Sequence, residues 1–149
     1  MANDFRTFTP DEIQPLSEDQ KAAILEALVV AIYANARVGQ DESHRLKEEV
    51  IRIPWGEGKD PVIERAKRAQ ATFDAHRGDQ GHVEMLKSIA SRLPPSPTIR
   101  EKLIAMMGRV MGAADHSVDT QEQNTLSAYA VALGVTPERF KAIVDSIGG

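Results

Sequence analysis

The chain has 149 residues, which matches the size of one domain at about 150 residues per domain. A domain of this size folds without disulfides or a structural metal, and the absence of cysteine excludes disulfides, thiolate-bound zinc and a cysteine nucleophile. Eighteen basic and twenty-two acidic residues leave a formal net charge of −4, which repels a phosphate backbone. The composition therefore indicates a globular, cytoplasmic protein with no nucleic-acid partner.

Two observations argue against export and membrane insertion. Residues 1–16 contain no apolar segment of the kind a signal peptide needs, and we expect them to be an N-terminal extension of a single domain at 17–149. The longest apolar run, Ala27–Ala34, has eight residues, whereas a membrane-spanning helix needs about 20. No direct membrane insertion is expected.

The first half of the chain contains closely spaced helix signals. Ser17 and Gln20 form a capping-box pattern at the start of a helix predicted over about 18–36. A second helix is expected to end at Pro54. Its inward face carries Leu46, Val50 and Ile53.

Two further helices are predicted before the proline-rich stretch that begins at Pro94. Asp60 is the expected N-cap of the third helix, with Pro61 in the first helical position. Its inward row is Val62, Ala66, Ala69 and Phe73. The inward row expected for the fourth helix is Val83, Leu86, Ile89 or Ala90, and Leu93.

Three more helices complete the prediction. Thr98 and Glu101 form a capping box for the fifth, Gly134 ends the sixth, and Thr136 with Pro137 begins the seventh. The inward residues of the fifth are Ile99, Leu103, Met106 or Met107, Val110 and Ala114. Those of the sixth are Leu126, Ala130 and Leu133, and those of the seventh are Phe140, Ile143, Val144 and Ile147. No alternating strand pattern competes, so the predicted class is all-α with about seven helices.

An internal repeat relates the two halves of the chain. A shift of 80 positions aligns residues 24–53 with 104–133, with six identities and coincident inward faces. Each half is then a pair of helices that must bury its apolar face against the other pair. We expect Leu46 and Leu126 to occupy equivalent buried positions, related by an approximate two-fold axis.

The connection inside the second pair carries the most specific motif. Residues 114–122 read ADHSVDTQE, followed by Leu126 and by GVTPERF at 134–140. This pattern resembles the TerB-like family, named for a bacterial tellurite-resistance protein, whose fold also occurs in membrane-anchored J-domain co-chaperones. His116 stands where the family usually has glycine. Over about 18–147, the resemblance implies a compact bundle with grouped acidic connections, a link to tellurite, metal or envelope stress, and no established catalysis.

The residues of this connection admit two interpretations. Asp115 is expected in the last turn of the fifth helix, where an anion is disfavoured by about 0.3–1 kcal/mol. Weakly bound Ca²⁺ or Mg²⁺, held by Asp115 and Asp119, would compensate, and so would His116, an arginine from elsewhere or solvent. Asp119 and Glu122 are also explained, without a ligand, as a capping box of the sixth helix.

The first copy of the connection has less charge. Asn35 and Gly39 replace the two aspartates, while Glu42 remains. The connection of the second copy is not an EF-hand, because Thr120 and Leu126 stand where such a loop requires Gly and Glu. The candidate metal ligands are Asp115, Asp119, Glu122, Asn35 and Glu42.

Three classes of function follow. The first is a non-enzymatic, cation-binding module, because no catalytic motif is present. The second is an ion-free interaction domain, co-chaperone-like or scaffolding, which recruits a protein of a stress-response or membrane-associated complex through the mildly basic residues 59–77 and Trp55. The third is a small enzyme that uses paired carboxylates. We expect a monomer or a weak homodimer.

Overall fold

The computed structural model of the chain describes residues 8–32, 50–76, 78–111 and 120–148. All regular structure in these ranges is helical, which confirms the predicted all-α class. Residues 50–52 are helical as well. The other helices are α1 (Pro10–Ile13), α2 (Glu18–Ile32), α3 (Lys59–Ala75), α4 (Asp79–Arg92), α5 (Pro97–Met111), α6 (Thr120–Ala132) and α7 (Pro137–Gly148).

Helices α2 and α5 form the centre of the bundle. Helix α2 packs against α3, α4, α5 and α6, and α5 packs against α6 and α7 as well. Residues 23–29 of α2 are all buried, and so are residues 102–108 of α5. A helix that is apolar on nearly every side must be covered on every side, which places these two at the core.

Several predicted helix ends are confirmed in detail. At the start of α2 the Gln20 N–H donates to the Ser17 hydroxyl at 3.2 Å, and the Ser17 N–H donates to the Gln20 side chain at 2.9 Å. After α6, Gly134 adopts a φ of 78°, and the Val135 N–H donates to the Ala130 carbonyl at 2.9 Å. This is the Schellman arrangement that a glycine at this position favours.

Two other helix starts were each predicted two residues too late. Helix α3 begins at Lys59 with Gly58 as its N-cap, so the prediction of Asp60 as the cap was wrong. Helix α5 begins at Pro97, and the Ser96 hydroxyl accepts the Ile99 N–H at 3.3 Å in place of the predicted Thr98 cap. Proline at the first helical position loses no hydrogen bond, which favours the earlier start.

The inward face of α4 also differs from the prediction. Val83 is 46% exposed, whereas Met85 is buried. The buried row is Met85, Ile89 and Leu93, at intervals of four residues. This spacing keeps the row on one side of the helix and turns Val83 outward.

The predicted repeat is consistent with burial at the equivalent positions that the structure describes. Ile24 and Ile104 are both inaccessible to solvent, and Ile53 and Leu133 are both buried. Leu126 is buried as expected, while Leu46 lies outside the described residues. Residues 8–16 pack on the same core, and the predicted division of the chain at residue 17 stays a prediction. None of the described helices is long and apolar enough to cross a membrane.

Candidate functional site

The predicted cation ligands fall almost entirely outside the described residues. In sequence, Asp115 and Asp119 stand between the ends of α5 and α6, and Asn35 and Glu42 follow the last described residue of α2. Glu122 lies within α6, but its side chain also belongs to the part that is not described. Helix α6 begins at Thr120, directly after the predicted cap residue Asp119.

The described part of the chain contains no group of three or more His, Asp and Glu side chains that could hold a metal ion. Several of its charged residues instead bind partners in elements that are distant in sequence. Ion pairs are centred on Arg65, Glu26 and Lys102, and Arg100 binds backbone carbonyls.

Arg65 on α3 is the most extensively bound of these residues. Its side chain is 1% exposed and donates to both oxygens of Glu18, at 2.7 and 2.9 Å, and to both oxygens of Glu57, at 2.9 Å each. Its guanidinium carbon lies 5.1 Å from the centre of the Trp55 ring. Lys21 approaches Glu57 at 3.6 Å. The cluster therefore joins the start of α2, the loop before α3 and α3 itself.

The electrostatics of this cluster are internally balanced. Hydrogen bonds from Arg65 lower the pKa of Glu18 and of Glu57, although burial opposes the change. The same bonds raise the pKa of Arg65. Both carboxylates are therefore ionised at neutral pH and already neutralised by Arg65 and Lys21, so they form an ion-pair network around the buried Arg65 and not an open acidic pocket.

Trp55 and Arg65 are buried, so these two residues do not contribute to the docking surface that the sequence suggested for Trp55 and the basic segment 59–77. Trp55 is 5% exposed, and its ring N–H donates to the Val50 carbonyl at 3.0 Å, so it packs its loop onto the core. Arg65 is interior, and Arg68 is paired with Glu18 at 3.2 Å. Arg65 lies on the same helix face as the buried Ala69 and Phe73, because the three residues follow one another at intervals of four. This spacing in the sequence could have predicted that Arg65 is buried.

A second ion pair is buried between α2 and α4. Glu26 lies in the apolar centre of α2, is 5% exposed, and accepts hydrogen bonds from Nη1 and Nη2 of Arg92. Tyr129 of α6 is also buried, and burial, together with the negative charge of Glu26, raises the pKa of its hydroxyl. No sequence motif marks Glu26, although an acidic residue within the buried run 23–29 requires a partner.

The third ion pair attaches the N-terminal segment to α5. Lys102 is 8% exposed, and its Nζ lies 2.9 and 3.1 Å from the two carboxylate oxygens of Glu12. Glu12 also accepts the Thr9 N–H at 2.8 Å. Burial would raise the pKa of Glu12, but the bonds from Lys102 and Thr9 outweigh it, so the pKa is lowered.

Arg100 on α5 joins the ends of two other helices. It donates to four backbone carbonyls, those of Ala90, Leu93, Pro94 and Leu133. The last carbonyls of a helix have no partner within the helix and carry its negative end, so a guanidinium is favourable there. Arg100 thus fixes the C-terminal ends of α4 and α6 relative to α5.

Comparison with known proteins identifies the kind of domain that these elements form. The family model described as "Tellurite resistance protein TerB" matches residues 21–145. No curated protein and no solved structure matches the chain closely enough to be counted as similar. The matched residues include most of α2, all of α3 to α6, most of α7, and the two connections that carry the candidate ligands. The chain therefore belongs to the TerB family.

Proposed function

We propose that this protein is a non-enzymatic, cytoplasmic TerB module that binds a divalent cation, Ca²⁺ or Mg²⁺, through the acidic connection between α5 and α6. The observation that carries the proposal is the family match over residues 21–145, which includes Asp115, Asp119 and Glu122. Its setting is a bacterial response to tellurite, metal or envelope stress. Binding is weak, because Asn35 and Gly39 leave the first connection with Glu42 as the remaining acidic position of the motif.

The charge arrangement elsewhere in the chain supports this choice of site. Glu12, Glu18, Glu26 and Glu57 are each bound by a lysine or arginine of the protein itself. A cation would have to displace that partner to bind at any of these carboxylates. Asp115 is expected near a helix C-terminus, where a bound cation would offset both its charge and the negative end of the helix.

Thermal unfolding with and without Ca²⁺ or Mg²⁺ tests the proposal. Binding to the folded state stabilises it by RT ln(1 + [L]/Kd), about 2.7 kcal/mol at a hundredfold excess over Kd. We expect this stabilisation in the wild-type chain and its loss in Asp115→Asn. Asp145→Asn is the matched control, because Asp145 is an exposed aspartate in the last turn of α7. An unchanged wild-type melt at millimolar cation would contradict the proposal.

The variant Asp119→Ala distinguishes two roles of Asp119, as N-cap of α6 and as cation ligand. We expect it to lose the cation-dependent shift and to cost about 1 kcal/mol with or without the ion, because the residue also precedes the first turn of α6. If cation shifts are absent from the wild-type chain, the second candidate takes first place. That candidate is an ion-free interaction module for a protein of a stress-response or membrane-associated complex.

A further inference from the structure

Residues 8–16, here called the clasp, precede α2 and pack onto the core of the bundle. The clasp consists of Phe8, the four-residue helix α1 and the turn that leads into α2. Phe8 is 2% exposed and Ile13 is inaccessible to solvent. Because a helix of one turn is unstable by itself in water, the order of the clasp depends on the surface that it covers.

That surface, here called the groove, includes Lys102 of α5 and Gly56 in the loop before α3. Lys102 binds Glu12 of the clasp, and no other carboxylate in the described ranges is within ion-pair distance of it. Gly56 lies directly against the Gln14 side chain, where a Cβ on Gly56 would approach the Gln14 Cδ to 2.9 Å. Without the clasp, Lys102 would lose Glu12, and the core residues that Phe8 and Ile13 cover would be exposed.

Two observations distinguish the clasp from the bundle that it covers. The family match begins at residue 21, so the clasp lies outside the matched residues, whereas Gly56 and Lys102 lie inside them. Helix α2 has its own capping box at Ser17 and Gln20, so its first turn does not depend on α1. The hydrogen bonds that cap the start of α2 therefore involve no residue of the clasp.

We propose that the clasp is an intramolecular ligand and that the groove beneath it binds a segment of a partner protein with the same chemistry. This segment carries an aromatic residue, a glutamate four residues later and an aliphatic residue directly after the glutamate, as Phe8, Glu12 and Ile13 do. The aromatic and aliphatic side chains replace those of the clasp, and the glutamate pairs with Lys102. The clasp then regulates access to the groove by competition.

The covalent link makes this competition unequal. A short tether holds a ligand at an effective concentration of about millimolar. A free peptide with the clasp sequence is therefore expected to bind poorly to the wild-type chain and well once the clasp of that chain is weakened.

Fluorescence anisotropy with a labelled peptide of residues 7–17 tests this expectation. The protein is the full chain carrying Phe8→Ala and Glu12→Gln, compared with the wild type and with Asp11→Asn, a control at an exposed position of α1. We expect the peptide to bind the doubly substituted chain at least tenfold more tightly than either comparison protein. A peptide carrying Glu12→Gln and Ile13→Ala should lose at least tenfold in affinity. Equal binding to all three proteins, or none to the folded double variant, would overturn the proposal.

Hydrogen exchange on the unchanged chain gives a second test that does not require the variant to fold. The Gln14 N–H, bound to the Pro10 carbonyl at 2.9 Å, reports opening of the clasp. We expect it to exchange at least tenfold faster than amides in the centres of α2 and α5. Exchange at the rate of global unfolding would make the clasp an inseparable part of the fold and would overturn the proposal. A dimer of the wild-type chain that exchanges its clasps would also overturn it, because the partner would then be a second copy.

Discussion

Arg65 shows how much a single interior charge can contribute to this fold. Its guanidinium binds both oxygens of Glu18 and of Glu57 and lies over Trp55. Removing one member of a buried ion pair is costly, because the partners lose their compensation and remain where they are. Partial exposure of the two carboxylates reduces this cost without abolishing it.

Arg65→Met is therefore expected to destabilise the protein by about 3 kcal/mol, near the lower end of the range for buried pairs. Denaturant unfolding at neutral pH measures this change. Lys67→Met is the matched control on the same helix, since Lys67 is 71% exposed, and it should change stability by less than about 0.5 kcal/mol. Equal effects of the two substitutions would contradict the structural role of Arg65.

The same cluster predicts how stability depends on pH. Hydrogen bonds from Arg65 lower the pKa of Glu18 and Glu57 in the folded state, while in the unfolded state glutamate titrates near about 4.3. The stabilisation is thus complete above the unfolded pKa and is lost as the pH falls through the lower, folded values. We expect melting temperatures to be constant from pH 7 to about 5 and to fall below about 4.

Arg65→Met provides the comparison for this pH series. Without the guanidinium, the two carboxylates no longer gain from remaining ionised, so the acid-dependent loss should be shallower than in the wild type. A parallel decrease in both proteins would assign the acid sensitivity to other groups.

At the scale of single elements, local signals determined some helix ends and tertiary contacts determined others. The end of α6 was predictable, because Gly134 supplies the left-handed conformation that closes the helix. The starts of α3 and α5 were not, because Gly58 and Ser96 stand just upstream of the predicted caps Asp60 and Thr98. Capping preferences differ by about 1 kcal/mol or less between such candidates, so contacts made by the rest of the fold can decide between them.

Gly134→Ala tests the end of α6. At a φ of 78° a Cβ costs about 1–2 kcal/mol in backbone strain, although nothing lies within 4 Å of its position. Gly134→Asn is the comparison, because asparagine tolerates this conformation, and we expect it to cost clearly less. Thermal unfolding measures both variants. If Gly134→Ala destabilises the protein no more than Gly134→Asn does, the backbone adjusts at this position.

At the scale of the whole molecule, the two central helices α2 and α5 form the core against which the other helices pack. Leu126 is 1% exposed in α6, at the position that the repeat makes equivalent to Leu46. The core is close-packed, so neighbouring side chains cannot fully fill the space that is left when a buried side chain such as Leu126 is truncated.

Leu126→Ala is expected to destabilise the protein by about 2–5 kcal/mol through lost burial and a residual cavity. Val131→Ala in the same helix is the control, because Val131 is 74% exposed, and it should cost less than about 0.5 kcal/mol. Chemical denaturation of both variants provides the measurement. A cost below about 1 kcal/mol for Leu126→Ala would show that the core collapses around this site.

The amino-acid sequence by itself determined the all-α class, most helix positions, the repeat and membership of the TerB family. These depend on patterns within a few turns of a helix or on a compound motif, which act locally along the chain. Only the tertiary structure decided that Arg65 binds Glu18, that Arg92 binds Glu26, and that Lys102 binds Glu12. Those partners are 47, 66 and 90 positions apart, so their pairing depends on which helices pack together and on which side chains packing removes from water.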